Sequence, residues 1–178
     1  MSDEQDLLLR AKRFDPSALS MTYELFSPII YRYAYHLLGD PNLAEECLAD
    51  TYKRFLQSIK NGSGPKTNLK AYLYRIAHNW IIDRYRDSVD NDLELSEEFS
   101  DGKSDPKSEV HQKLEQETIR KAVMRLTAEQ RQVIVLKYIE EYENDEIAQI
   151  LNKNIGSIKA LQHRALASLR KLLAEDVR

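Results

Sequence analysis

Apolar and polar positions alternate along most of this chain at the three- and four-residue steps of amphipathic helices. Two such patterns, roughly 17–38 (SALSMTYELFSPIIYRYAYHLL) and 41–60 (PNLAEECLADTYKRFLQSIK), are parted by Gly39-Asp40-Pro41, a turn with proline at a helix start. The loop NGSGPKTN, residues 61–68, follows. A third helix, LKAYLYRIAHNWIIDRYR, carries Leu69, Tyr72, Leu73, Ile76 and Trp80 on one stripe, which predicts their burial and leaves Tyr74 pointing away. Off that stripe, Arg75, Asn79 and Arg86 share one flank, and Lys70 and Arg84 lie on the other. This basic flank reads either as a solvated face or as a nucleic-acid surface. Asp83, near the edge of the stripe, is expected to pair with a neighbouring arginine.

Periodicity then stops. From Asp87 to Glu117 there are eleven acids and three lysines, a net −8, few apolar residues, and a Gly and a Pro to interrupt any helix. The segment reads as a flexible or extended tether over about 88–117, between a part spanning 1–87 and another spanning 118–178. It is either a solvated loop or a run whose charge acts on a partner. Helical periodicity resumes near 110–125. In LTAEQRQVIVLKYI, Thr127 and Gln130 have capping-box spacing. Asn144 is placed to cap a short helix with Ile147, Ala148, Ile150 and Leu151 inward, and Asn154 to cap a long one from about 155 to 173. Two helices joined by Asn152-Lys153-Asn154, the second longer and basic, make a helix-turn-helix pattern.

The long helix has two sides. Ile158, Leu161, Ala165, Ser168 and Leu172 form the apolar stripe. Opposite them stand Lys159, His163 and Arg170, with Gly156, Ala160 and Ala167 between them and Arg164 on the shoulder. Long basic side chains beside small residues suit a helix that enters the major groove, where the backbone comes close and phosphates flank it.

Charge accounting supports this reading. The chain's net charge is −3, but with the acidic run set aside the remaining 23 bases and 18 acids give +5. Hydrophobic residues are 42% and charged residues 31%, and no apolar run approaches the ~18 residues of a membrane span. The first residues lack the basic-then-apolar order of a secretion signal, so a cytoplasmic protein without membrane insertion is expected. Cys47, the only cysteine, sits in an amphipathic run and reads as a buried structural thiol. No P-loop, Gly-rich nucleotide fingerprint, metal-ligand cluster or nucleophile–base pair appears. The expectation is therefore an all-α chain of two small helical domains with no catalytic residue, metal, cofactor or small-molecule substrate.

The order of these parts resembles the bacterial sigma factors of the small extracytoplasmic-function group. The likeness covers roughly 17–87 and 118–173. YRYAYHLLGDPNLAEECLADTYKRFL is similar to the segment that binds the clamp helices of RNA polymerase, which implies polymerase contacts at Glu45, Glu46, Leu48 and Asp50. NLKAYLYRIAHNWIIDRYR is similar to the minus-ten segment, with Leu73 to Ala77, Asn79 and Asp83 to Arg86 in the usual order. That implies promoter contacts at Arg75, Asn79 and Arg86, and at Asn61, Lys66 and Asn68 in the loop, a candidate pocket edge for an unstacked base. The last helix is similar to the reader of the minus-thirty-five element, which implies contacts at Ser157, Lys159, Ala160, His163 and Arg164. The implied partners are core RNA polymerase and promoter DNA, with an anti-sigma factor as a further possible partner, and the acidic run would enter the polymerase's positively charged cleft. Two positions depart from the family pattern: Ala49 stands where a glutamine is common, and Asn152 where a glycine usually opens the turn. A stand-alone helix-turn-helix regulator is the rival reading, but it leaves the first domain unexplained.

Overall fold

The computed structural model describes residues 3–90 and 109–176, so 91–108, the greater part of the expected tether, lies outside the described residues. All secondary structure among the described residues is helical, and the chain divides into two compact units.

The first unit holds four helices. α1 (Asp3–Lys12), which periodicity did not reveal, buries Leu7, Leu8 and Ala11. Phe14 turns the chain at φ 58, and Asp15 pairs with Arg10 at 2.8 Å. Asp15 also accepts from the Ser17 N–H at 3.0 Å and so caps α2 (Pro16–Leu38). The Arg10 guanidinium hydrogen-bonded to it holds its carboxyl below the usual carboxylate range. α2 ends on Gly39 at φ 71, a left-handed cap that favours glycine, whose N–H donates to the Tyr35 carbonyl. Asp40 then caps α3 (Pro41–Lys60), accepting from Asn42 and Leu43 at 2.7 and 3.2 Å. Two successive Asp-Pro junctions thus start two helices by one device, a carboxylate on the free N–H groups with proline at the first helical position.

α4 (Leu69–Asp90) packs against both α2 and α3. Ile30, Tyr33, Leu37, Phe55, Leu69, Leu73, Tyr74 and Ile81 are almost wholly buried. The Tyr52 hydroxyl donates to the Thr22 carbonyl at 3.0 Å, tying α3 to α2. The Tyr85 hydroxyl donates to the Leu37 carbonyl, tying the far part of α4 to the end of α2. Glu4 of α1 accepts from the Lys70 N–H at 3.2 Å, so the acidic start of the chain serves the start of α4. Cys47 is buried, its Sγ 3.8 Å from the Ala77 carbonyl, and burial pushes its thiol up to about 12. It is therefore a protonated packing group at neutral pH.

The second unit begins with α5 (Glu109–Met124) and α6 (Ala128–Ile134). Thr127 and Gln130 close the expected capping box at 3.3 and 3.4 Å. Val135–Ile139 then form a π-helical turn, in which the Glu140 N–H donates to the Val135 carbonyl at 2.9 Å. α7 (Asn144–Leu151) follows, and α8 (Ile155–Asp176) packs on α5 and α6. Val123, Leu126, Ile134 and Ala165 form a core flanked by Leu166, Leu169 and Leu172. Arg131 is only 6% exposed, and its guanidinium donates to the Met124 and Leu126 carbonyls, satisfying the end of α5.

Two details correct the sequence reading. Asn144 does not cap α7. The Glu143 carbonyl receives the first helical bond from Ile147, and Glu146 reaches back to the Glu143 N–H at 3.0 Å. The Asn144 side chain instead accepts from Gln162 at 2.6 Å, linking α7 to α8. On α8, Ile158, Leu161 and Ala165 are buried as expected, but Ser168 and Leu172 are only half-buried.

Candidate nucleic-acid interface

The α7–turn–α8 motif is built by local chemistry. Asn152 adopts φ 52, a left-handed conformation that asparagine tolerates better than most residues, and the Lys153 N–H donates to the Ala148 carbonyl at 3.0 Å. Asn154 then caps α8 through its carboxamide oxygen, which accepts from the Ser157 N–H at 2.8 Å. Past this cap the helix presents Gly156, Lys159, Ala160, His163, Arg164, Ala167 and Arg170 to solvent, while Ser157 is half-buried. Lys153 pairs with Glu129 at 3.0 Å and is spent locally. Lys159, Arg164 and Arg170 make no ion pair among the described residues. Arg164 folds along the helix, its Nε donating to the Ala160 carbonyl at 3.4 Å. The result is a low surface of glycine and alanine bordered by cations and one imidazole, the shape and charge that a DNA groove accepts.

α4 differs from expectation. Its buried residues are Leu69, Ala71, Leu73, Tyr74, Ala77 and Ile81, while Tyr72, Ile76 and Trp80 are only half-buried. The core arc is therefore turned by about a quarter of the helix circumference from the stripe read in sequence, at roughly 100° per residue. Tyr74, expected to point away, is fully buried with its ring edge-on to Tyr33 at 5.0 Å. Ala71 and Ala77 let the backbone of α4 approach its neighbours on this arc, Leu73, Tyr74 and Ile81 fill the space beside them, and Tyr72, Ile76 and Trp80 are left at its margins. Asn79 and Arg86 are exposed on one flank as expected, and Arg75 on that flank is half-buried. Asp83 is exposed and makes no ion pair among the described residues, contrary to expectation. Its neighbour Arg84 lies over Trp80, 5.9 Å from the ring centroid, an arrangement the sequence reading missed.

The loop before α4 is held down at one point and open at others. Gly64 lies so close to Ile59 that an added Cβ would stand 2.7 Å from the Ile59 Cγ2, and Pro65 beside it is buried. Asn61, Lys66 and Asn68 are exposed. Asn61 ends α3, its N–H donating to the Gln57 carbonyl at 3.0 Å. Asn68 caps α4, accepting from the Ala71 N–H at 2.8 Å, so its carboxamide oxygen is already engaged. On α3, Glu45, Glu46 and Ala49 are exposed and Leu48 half-buried beside them. Asp50 is half-buried and paired with Arg54 at 2.5 Å, which leaves the two glutamates as the open acids of that surface. No described helix is long and apolar enough to cross a membrane.

A helical unit with an exposed polar flank, followed by a helix-turn-helix unit with a cationic second helix, defines a DNA-binding protein of two all-α domains. The model of Sigma-70 region 2 matches residues 22–89, and that of Sigma-70 region 4 matches residues 116–169. The sigma factor SigW of Bacillus subtilis is 30% identical over 178 residues, covering 93% of this chain and 94% of SigW. The sigma factor BldN of Streptomyces coelicolor is 29% identical over 176 residues, covering 97% of this chain and 67% of BldN. Among solved structures, the sigma factor RpoE of Bartonella quintana, in complex with the anti-sigma factor NepR, matches with a TM-score of 0.65 and 26% identity over 87% of this chain and 96% of RpoE. The chain belongs to the extracytoplasmic-function (ECF) family of RNA polymerase sigma factors, which direct promoter-specific transcription initiation.

Proposed function

We propose that the chain divides its work between two domains, 1–87 and 118–178, on either side of the acidic run 88–117. The second reads the upstream promoter element through Ser157, Lys159, Ala160, His163 and Arg164. The first reads the minus-ten element through Arg75, Asn79 and Arg86 of α4 and Asn61, Lys66 and Asn68 of the loop. Glu45, Glu46, Leu48 and Asp50 of α3 meet core RNA polymerase, which supplies all the chemistry. The observation that carries this reading is the exposed set Lys159, Arg164 and Arg170 around the alanine surface of α8, none of which makes an ion pair among the described residues. The protein works in the cytoplasm, with the polymerase. An anti-sigma factor is a fitting regulator, since the related RpoE is held in such a complex. The net −8 of the run 87–117 gives it the sign to occupy a cleft that otherwise holds nucleic acid.

Strand opening on this reading needs no ATP. A protein that binds the opened strand better than the duplex shifts the equilibrium toward opening by its differential affinity. The test separates the two domains. Lys159→Ala in holoenzyme should change preference among upstream elements, because a base-edge contact discriminates by about 1–3 kcal/mol, whereas Arg170→Ala should mainly reduce the salt slope. Asn79→Ala should lower permanganate reactivity of promoter thymines on duplex templates and recover on templates mismatched across the melted region. A defect of equal size on both templates would place Asn79 before melting and overturn its assignment.

A further inference from the structure

We propose that Gly64 is a positioning residue for promoter reading: its close seat on Ile59 sets the reach of the loop 61–68 and, with it, which minus-ten base the loop accepts. The inference deepens the assignment of Asn61, Lys66 and Asn68 just given and rests on it. The two glycines of this loop are there for opposite reasons. Gly62 stands at φ 72, where other residues are strained, but a Cβ added to it would meet nothing within 4 Å. Gly64 lies outside the left-handed region, so its conformation does not call for glycine, whereas its surroundings do. A Cβ at position 64 would stand 2.7 Å from Cγ2 of Ile59 and 3.4 Å from its Cα.

Ile59 is not free to give way. It is buried in the last turn of α3, and its Cγ2 is carried on the branched Cβ, stiff at χ1, and not at the end of a flexible chain. A side chain at position 64 therefore moves the loop and not the helix. The stretch before it is fastened to the same helix end. The Gly62 N–H donates to the Ile59 carbonyl at 3.2 Å, and the Ser63 N–H and hydroxyl both donate to the Ser58 carbonyl, at 2.9 and 3.3 Å. Pro65, on the other side, is buried, and the exposed Lys66 follows it directly. A displacement at position 64 is thus passed to a side chain assigned to DNA. Hydrogen bonds to a base edge weaken steeply as distance and angle depart from their optimum, so a small displacement is enough to change the preferred base.

Holoenzyme carrying the full-length chain is assembled with wild-type protein, Gly64→Ala, Gly62→Ala, and Gly64→Ala combined with Ile59→Leu or with Ile59→Val. Permanganate reactivity of promoter thymines is measured on templates that carry each base in turn at each minus-ten position. Gly64→Ala should lower the preference at one position by about 5-fold or more, the lower end of what a base-edge contact discriminates, with affinity for core polymerase and upstream preference unchanged. Ile59→Leu conserves volume and removes the branch at Cβ, so that double variant should recover the wild-type preference. Ile59→Val keeps Cγ2 and should not. Gly62→Ala should lower the melting temperature and leave the preference as it was. In the free wild-type protein the Gly62 and Ser63 amides should be protected from hydrogen exchange, a readout that needs no variant to fold. A wild-type profile for Gly64→Ala, a loss that Ile59→Leu fails to restore, the same altered profile in Gly62→Ala, or amides that exchange freely would each overturn the proposal. If Asn61→Ala or Lys66→Ala alters the preference while Gly64→Ala is silent, the loop reads DNA and Gly64 does not place it. If all three are silent, the loop is not the reader and both readings fail.

Discussion

α4 and α8 are helices of equal length, 22 residues each, and both are assigned to promoter DNA, but only one of them shows its orientation in its sequence. α8 packs on α5 and α6 and keeps a narrow buried stripe of Ile158, Leu161 and Ala165, with small and basic residues opposite. α4 is held by both α2 and α3, and its buried arc is wide enough to take in Leu69, Ala71, Leu73, Tyr74, Ala77 and Ile81. Side-chain size is a guide to the core face when the buried stripe is narrow, as on α8. On the wide arc of α4, Ala71 and Ala77 lie inside with Leu73 and Tyr74, while Tyr72 and Trp80 stand at the margin, so size alone does not mark the interior.

The largest effect is expected where that comparison could be broken outright. Tyr74→Ala removes a fully buried ring packed on Tyr33 and should cost about 3–5 kcal/mol. Tyr72→Ala removes a half-buried ring, 6.5 Å from Phe55 at the margin of α3, and should cost clearly less. Urea unfolding of the full chain, followed by circular dichroism, ranks the two. The reverse order would restore the stripe read from sequence and remove the ground for the quarter-turn.

Next in size are the alanines of α8. Ala165 is fully buried against Val123, Leu126 and Ile134, so Ala165→Leu overpacks the core and should cost about 1–3 kcal/mol. Ala160 is exposed between Lys159 and Arg164, and Ala160→Leu should change stability by about 0.5 kcal/mol or less. That second change should nonetheless impair promoter use, because a leucine there raises the surface that must approach the groove. Thermal melting with run-off transcription from a cognate promoter separates the two outcomes. Full activity for Ala160→Leu would remove that face from the DNA contact.

What was legible follows from the same physics. α2 was readable from its apolar period, although its cap at Asp15 was not; Asp40-Pro41 writes the start of α3 in local chemistry, and the turn at Asn152 to Asn154 writes the start of α8. α1 was not readable, because in ten residues Leu7, Leu8 and Leu9 give no clear stripe, and so short a helix is stabilised mainly by what it buries. The π-helical turn at 135–139 and the buried Arg131 answer to tertiary contacts that no periodicity records. At the candidate site, exposure was read correctly for Lys159, His163, Arg164, Asn79 and Arg86. The Trp80–Arg84 pair was hidden because an aromatic ring at helical spacing looks like core.

The smallest effect sharpens the comparison at the one point where the two helices agree. Each begins with an asparagine whose carboxamide oxygen accepts from the N–H three residues on, Asn68 from Ala71 and Asn154 from Ser157, both at 2.8 Å. Alanine at either position leaves that N–H without its cap and should cost about 1 kcal/mol, whereas serine, which caps nearly as well, should cost a few tenths. The two positions differ in what else they are asked to do: Asn68 is assigned to the minus-ten element, and Asn154 only holds its helix. A serine keeps the cap without a charge that would repel DNA by itself, but it lacks the reach of a carboxamide. Asn68→Ser should therefore fold like wild type and open promoters less well, and Asn154→Ser should be unchanged in both respects. Chemical denaturation set against permanganate reactivity in the holoenzyme measures the two quantities separately. If Asn68→Ser opens promoters as wild type does, capping α4 is the whole of its role and the DNA contact belongs to its neighbours in the loop.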